Sequence, residues 1–340
     1  MKVDKLVILS VALCLVVLAG EVMAYGPNIH DFDADADLEK DPIEYSVTSS
    51  GSNVYSVVAM DNGNFTAPRI LYIYNDPGYS DHYDLVNEHI QFSGVDQGYA
   101  MDQVTKSLKV RGFDDVRVVD DKGLLDALKS DILNNVPAAL LTFSYALPES
   151  VYSGSADDLL LRWIEAGGSL YWATSPAGMY YRSDSGIVKV ADHQELLFGR
   201  ECMKLTGDDI AYNVIEKDGL TNALGIKWNR TLYGLDISGI EGARSLGFEQ
   251  DGYSSISMIP RGEGMICIFG GDYNRSISDD ISQIIASGLS CHTRSVSVEE
   301  GSVTRGTVNG TIDIANEGNL CVYIVIGGYY TVYGRSFHSV

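Results

Sequence analysis

Apolar and polar positions along this 340-residue chain follow two rhythms. Ile70-Leu71-Tyr72-Ile73-Tyr74, Val116-Arg117-Val118-Val119, residues 138–145 and Leu170-Tyr171-Trp172-Ala173-Thr174 are short runs without a helical period, which predicts buried strands. Between them Met101, Val104 and Leu108, then Leu125, Leu128 and Ile132, then Leu160, Trp163 and Ile164 recur at helical spacing. Each set predicts a helix with one apolar face. Gly112 and the Gly167-Gly168 pair mark helix ends, because glycine enters the left-handed region without a Cβ clash. Ser155 and Asp158 predict a capping box at the third helix. Strands alternating with such helices predict βαβ units, hence a mostly parallel sheet covered on both faces. Residues 182–245 are less regular, with candidate segments at 195–198 and 209–215. A hairpin about Arg261-Gly262-Glu263-Gly264 follows, then a helix capped by Ser278, buried through Ile281, Ile284 and Ile285, and stopped by Gly288.

Residues 155–181 run helix, double glycine, strand and the small-residue turn Ser175-Pro176-Ala177-Gly178. This order resembles the core of class I glutamine amidotransferase-like domains, and so does Gly270-Gly271-Asp272-Tyr273-Asn274 after the later hairpin. The resemblance covers about residues 68–290 and implies an α/β fold with a mostly parallel, doubly wound, flavodoxin-like sheet. That family carries a cysteine in a Gly-x-Cys-x-Gly elbow and a catalytic His-x-Glu after the hairpin. Here the elbow reads Ala173-Thr174-Ser175-Pro176-Ala177-Gly178, and neither histidine nor glutamate follows Gly271. The resemblance thus implies an exported, non-catalytic relative that binds or assembles at the cell surface. Its ligand mouth would lie at the C-terminal ends of the strands, lined by Asp76, Ser144, Ser175 and Gly271. The alternative is a serine-dependent hydrolase with Ser175 as nucleophile and His193 or His82 as base. Pro176 counts against it, since it removes the backbone N–H that an elbow donates to an oxyanion.

Charge and composition narrow the partners. A net charge of −22 argues against nucleic acid, and 45% apolar residues argue for a packed core. Lys2 and Lys5 precede an apolar run over 6–19, and Val22-Met23-Ala24 fits a cleavage site, so residues 1–24 read as a signal peptide. The protein would then be secreted or held at the cell surface, not embedded in the membrane after cleavage, with a glycan or a protein as partner. An uncleaved N-terminal anchor is the alternative. Residues 25–66 read as an acidic linker with a hairpin about Ser49-Ser50-Gly51, 67–290 as the main domain, and 291–340 as a β-rich, partial Ig-like segment.

No cofactor or metal is expected. No phosphate-binding glycine motif follows the first strand, and His82 and His89 are seven residues apart where helical metal ligands favour four. The cysteine spacings fit no zinc pattern. The aspartate run at 31–37 lacks the glycine and twelfth-position carboxylate of a calcium loop. Of the cysteines beyond the signal, Cys267 reads as a buried apolar residue, and Cys291 with Cys321 is the first disulfide candidate among three full pairings. Asn64, Asn229, Asn274 and Asn309 open Asn-x-Ser/Thr acceptor tripeptides.

Overall fold

A computed structural model of the protein describes residues 16–18, 21–23, 42–79, 96–173, 176–205, 212–216, 219–227, 230–231, 233–249, 252–270, 275–314, 318–326 and 329–335. Val16–Leu18 (β1) and Glu21–Met23 (β2) pair as a short hairpin. Then come Ile43–Asp61 (β3), Ile70–Tyr74 (β4), Gln97–Val110 (α1), Val116–Val119 (β5), Asp121–Asn134 (α2) and Ala138–Thr142 (β6). Ala146–Pro148 (β7), Leu159–Glu165 (α3), Ser169–Trp172 (β8), Tyr180–Ser183 (β9), Gly186–Lys189 (β10) and His193–Phe198 (α4) follow. The irregular middle holds Met203–Leu205 (β11), Tyr212–Glu216 (β12), Gly219–Ala223 (α5), Arg230–Thr231 (β13), Tyr233–Leu235 (β14), Arg244–Ser245 (β15) and Phe248–Glu249 (β16). Ile256–Arg261 (β17), Gly264–Phe269 (β18), Arg275–Ser287 (α6), Ser295–Ile312 (β19), Leu320–Ile326 (β20) and Tyr329–Arg335 (β21) complete the chain. Among the described residues no helix is long and apolar enough to cross a membrane.

The fold is α/β, with a mixed central sheet and a separate β-rich segment. The central sheet runs β15-β17-β18-β8-β6-β4-β5. β5, β4, β6, β8 and β18 are mutually parallel, and β17 and then β15 extend the β18 edge through two antiparallel pairings. β6 and β8 are buried along their whole length, as their unbroken apolar runs predict. Alternate strand residues then face two different cores. Leu71, Ile73, Leu141, Tyr171 and Cys267 meet α1 and α6 on one side. Tyr72, Leu140, Leu170, Trp172 and Ile268 meet α2 and α3 on the other. Each such side chain contributes about 1.5–3 kcal/mol relative to an exposed one.

Several helix ends differ from expectation. α3 starts at Leu159, and the Asp158 carboxylate makes no cap bond to it; instead it accepts from the backbone N–H of Ser153, Gly154 and Ser155 at 2.8–2.9 Å, tying the preceding turn. Ser278 lies inside α6, not at its start. On α2 the buried face is Leu124, Leu128 and Asp131, while Ile132 is solvent-facing. Residues 212–216 form a strand where a helical or edge segment was expected.

The β-rich segment joins both ends of the chain. Its sheet runs β19-β3-β20-β21, so β3 is flanked by two strands lying more than 230 residues further on. The predicted hairpin at 49–51 is instead a bend within one long strand. Ser49 ties it, with Oγ 3.2 Å from Gly51 N and 2.6 Å from Asn53 Nδ2, and the partner strand bends opposite at Arg305 and Gly306, both at positive φ. An extended strand would separate Tyr45 and Tyr55 by about 33 Å. Their rings lie 6.1 Å apart, so the ribbon folds back on itself and encloses Val47, Val57, Ile312 and Ile324. The other face of β20, through Cys321, Tyr323 and Val325, joins the main core.

Candidate functional site

β4 and β6 are neighbours in the sheet, and each ends in a polar residue two positions beyond its last paired residue. Asp76 follows β4; its N–H donates to Gln97 Oε1 (3.2 Å), and Gly78 N–H donates to its Oδ1 (2.9 Å). Gln97, the first residue of α1, also donates to Asn75 Oδ1 and to the Asp76 carbonyl, so the helix start pins the strand end. Ser144 follows β6. Its N–H donates to Thr142 Oγ1, and Trp172 Nε1 donates to its carbonyl. Ser144 Oγ stands 2.5 Å from Asp76 Oδ2 and 2.7 Å from the Ala146 carbonyl oxygen, and accepts from Ala146 N–H at 3.1 Å. Both residues are buried.

A third strand closes the cluster. Arg182 on β9 pairs through Nη2 with Asp121, the first residue of α2, and donates to Tyr74 Oη at 3.1 Å. Tyr74 in turn donates to Asp121 Oδ1 at 2.7 Å. Burial pushes the Tyr74 phenol far up, with the nearby Asp76 charge and the Asp121 bond adding to it. Burial alone would lower the Arg182 guanidinium, but its bonds to Asp121 and Tyr74 outweigh that and raise it. Arg182 Nε stands 3.5 Å from Asp76 Oδ1, an ion-pair distance that is not a hydrogen bond. Beside the cluster Tyr79 and Tyr145 stack at 6.2 Å, and Tyr180, Met179 and Ile187 extend the apolar wall.

Of the residues expected at the mouth, the structure brings Asp76 and Ser144 together. Ser175, Gly271, His82, Asn229 and Asn274 lie outside the described residues. His193 begins α4, buried beside Leu197 and Phe198. Burial lowers its pKa, partly offset by the Val190 and Ala191 carbonyls, and among the described residues no hydrogen bond or ion pair joins it to Asp76 or Ser144. A cleft of about 250 Å³ lies next to it, lined by Tyr181, Lys189 and Asp192. Among the described residues no disulfide joins Cys291 to Cys321, nor either of them to Cys202 or Cys267, so the expected bridge is not formed. Burial raises both Cys267 and Cys291, and the nearby Cys291 thiol adds to the rise at Cys267. Asn64 and Asn309 are exposed. Among the described residues no three His, Cys, Asp or Glu side chains are grouped to hold a metal. Arg182, Asp121 and Gln97 escaped the sequence reading, since each reaches the site only through tertiary pairing.

No protein-family model matches the chain, and no curated protein does either. Solved structures with partial likeness include a catalytic mutant of a GH42 beta-galactosidase from G. stearothermophilus, at 16% identity over 65% of this chain and 29% of that one, with a TM-score of 0.40. A beta-galactosidase from Rahnella sp. R3 overlaps 78% of this chain and 36% of its own at 15% identity and TM-score 0.40. An exo-beta-1,4-mannosidase from Opitutaceae bacterium strain TAV5 overlaps 66% and 35% at 14% identity and TM-score 0.36. The chain spans about a third of the length of these proteins. Overlap at that level brings no activity to it.

The class I glutamine amidotransferase resemblance is not upheld: no family model matches the chain, and the solved structures that partly overlap it are described as beta-galactosidases and a mannosidase. The non-catalytic amidotransferase-like reading falls with it, as does the Ser175 hydrolase built on the same fold. The residues that carried the resemblance have a local explanation. A Cβ on Gly168 would lie 2.4 Å from the Trp163 ring, and one on Gly264 would lie 2.2 Å from the Ile164 and Gly168 carbonyl oxygens. Any helix reversing this closely onto a buried strand requires glycine there, whatever its family.

Proposed function

We propose that the chain is a ligand-binding α/β protein whose recognition site is the crevice between the C-terminal ends of β4 and β6. Its winding is read as flavodoxin-like: counted in chain order, the five parallel strands run 2-1-3-4-5 across the sheet. In that winding the order reverses between the first and third strands, and ligands bind outside their carboxyl ends. The Asp76–Ser144 contact at that reversal carries the reading. The ligand proposed is a small, neutral, polyhydroxylated molecule, such as a sugar unit of a glycan. Asp121 and Arg182 already balance each other, and the stacked Tyr79 and Tyr145 rings form an aromatic wall beside the cluster.

The test is calorimetric titration of the purified protein with a panel of mono- and oligosaccharides. Binding is expected to weaken at least tenfold in Tyr79→Ala and in Ser144→Ala; a flat response across the panel overturns the reading. Export is proposed alongside, supported by Lys2, Lys5 and the apolar run at 6–19. Mass spectrometry of the protein recovered from its native cells should find a mature N-terminus at Tyr25. A chain still beginning at Met1 in a soluble cell extract would overturn it.

A further inference from the structure

His193 opens α4, is 5% exposed, and makes no hydrogen bond through either ring nitrogen. Most buried polar side chains find a partner; this one does not. The Val190 and Ala191 carbonyls lie nearby without bonding geometry, and among the described residues no ion pair joins the ring to a carboxylate. The neutral imidazole fits such a site. A second proton would bury a charge that nothing at hand pairs, a cost avoided only by staying neutral or by moving to water.

The surrounding charges do not compensate. Lys189, at the end of β10, opposes protonation, and Asp192 favours it more weakly. Arg261 from β17 pairs with Glu165 and donates to the Leu196 and Leu197 carbonyls of α4. Tyr152 and Cys202, which complete the packing about α4, are held neutral at pH 7 by burial. Burial lowers the His193 pKa by more than the two carbonyls and Asp192 raise it.

α4 is built to move alone. It has six residues and ends at Gly199 in the left-handed region, too short to persist without its packing. Leu197 sits over Gly178, where a Cβ would come within 2.5 Å of it, and Val190 sits over Gly154. Gln194 Oε1 accepts from the backbone N–H of Cys202 and Met203 at 2.8 and 2.7 Å. These ties are few and local, and none is part of the central sheet's own strand pairing.

We infer that His193 is an acid-sensitive latch: its neutral ring holds α4 in place, and protonation drives the ring into water and frees residues 193–198 while the central sheet stays folded. The sign follows from the lowered pKa. The latch is fully closed above about pH 6.5, the ordinary imidazole value, and its contribution is lost as pH falls through the folded value.

The tests involve no ligand, so they are independent of the sugar reading. An NMR titration of the wild-type His193 ring should give a midpoint below about 6.5. Hydrogen-exchange protection factors over α4 should fall at least about threefold between pH 7 and pH 5, while those of Ala138–Thr142 in β6 hold. His193→Leu cannot take up a charge, and its α4 protection should be equal at the two pH values. A midpoint at or above 6.5, wild-type α4 protection that ignores pH, an equal loss in β6, or an undiminished pH dependence in His193→Leu overturns the inference. Where His193→Leu does not fold, the wild-type comparison of α4 with β6 decides alone.

Discussion

Asp131 is a carboxylate facing inward from α2, 5% exposed, and it accepts from Tyr72 Oη at 3.0 Å and Trp163 Nε1 at 3.2 Å. It ties a strand and two helices on one face of the sheet. Burial raises its pKa, and the bonds from Tyr72 and Trp163 only partly offset that. Its contribution is therefore greatest in acid and declines as pH rises through the folded value. Asp131→Ala leaves two buried donors unpaired, and urea unfolding should show a loss of about 2–4 kcal/mol. A loss below about 0.5 kcal/mol would mean that the two donors find other acceptors. The thiols give a second prediction at this scale. Burial pushes Cys202 up to about 11 and Cys291 up to about 12, so almost no thiolate exists at pH 8. A thiol reagent should leave both unlabelled in the folded protein and label them in denaturant.

Helix and strand packing explains why so much of the central sheet was legible. The apolar runs at 70–74, 138–142 and 169–172 have no polar side because both faces are covered, and Gly167-Gly168 reads as a stop because Trp163 fills the space above it. A methyl at Gly168 displaces an aromatic side chain that can shift, so Gly168→Ala should cost about 1–3 kcal/mol. A methyl at Gly264 meets two backbone carbonyls that cannot, so Gly264→Ala should cost more than Gly168→Ala in the same thermal melts. Equal melting temperatures for the two would contradict this packing. Asp76 and Ser144 were also legible, because each follows a readable strand. Arg182 was not. It sits on the short β9 strand in an irregular stretch, and only the folded chain carries it over Asp121 and Tyr74.

At the scale of the whole molecule, the pairing that sequence could not reveal is β3 with β19 and β20. Local patterning shows alternation at 43–60 and again after 295, but pairing across such separation leaves no periodic trace. β3 is the inner strand between β19 and β20, so a chain lacking residues 42–61 should lose amide protection over 295–312 and 320–326 in hydrogen exchange. Retained protection there would show that the β-rich segment folds without its first strand. The Asp76–Ser144 crevice lies on the central sheet, and the account places the protein's recognition chemistry there. The most direct measurement is a backbone amide NMR titration of the wild-type protein with the tightest sugar from the panel. Shifts confined to Asn75, Asp76, Tyr79, Gln97, Ser144, Tyr145 and Arg182 are the expected result. Shifts centred on the Tyr181–Asp192 cleft, with the Asp76 and Ser144 signals unmoved, would contradict it.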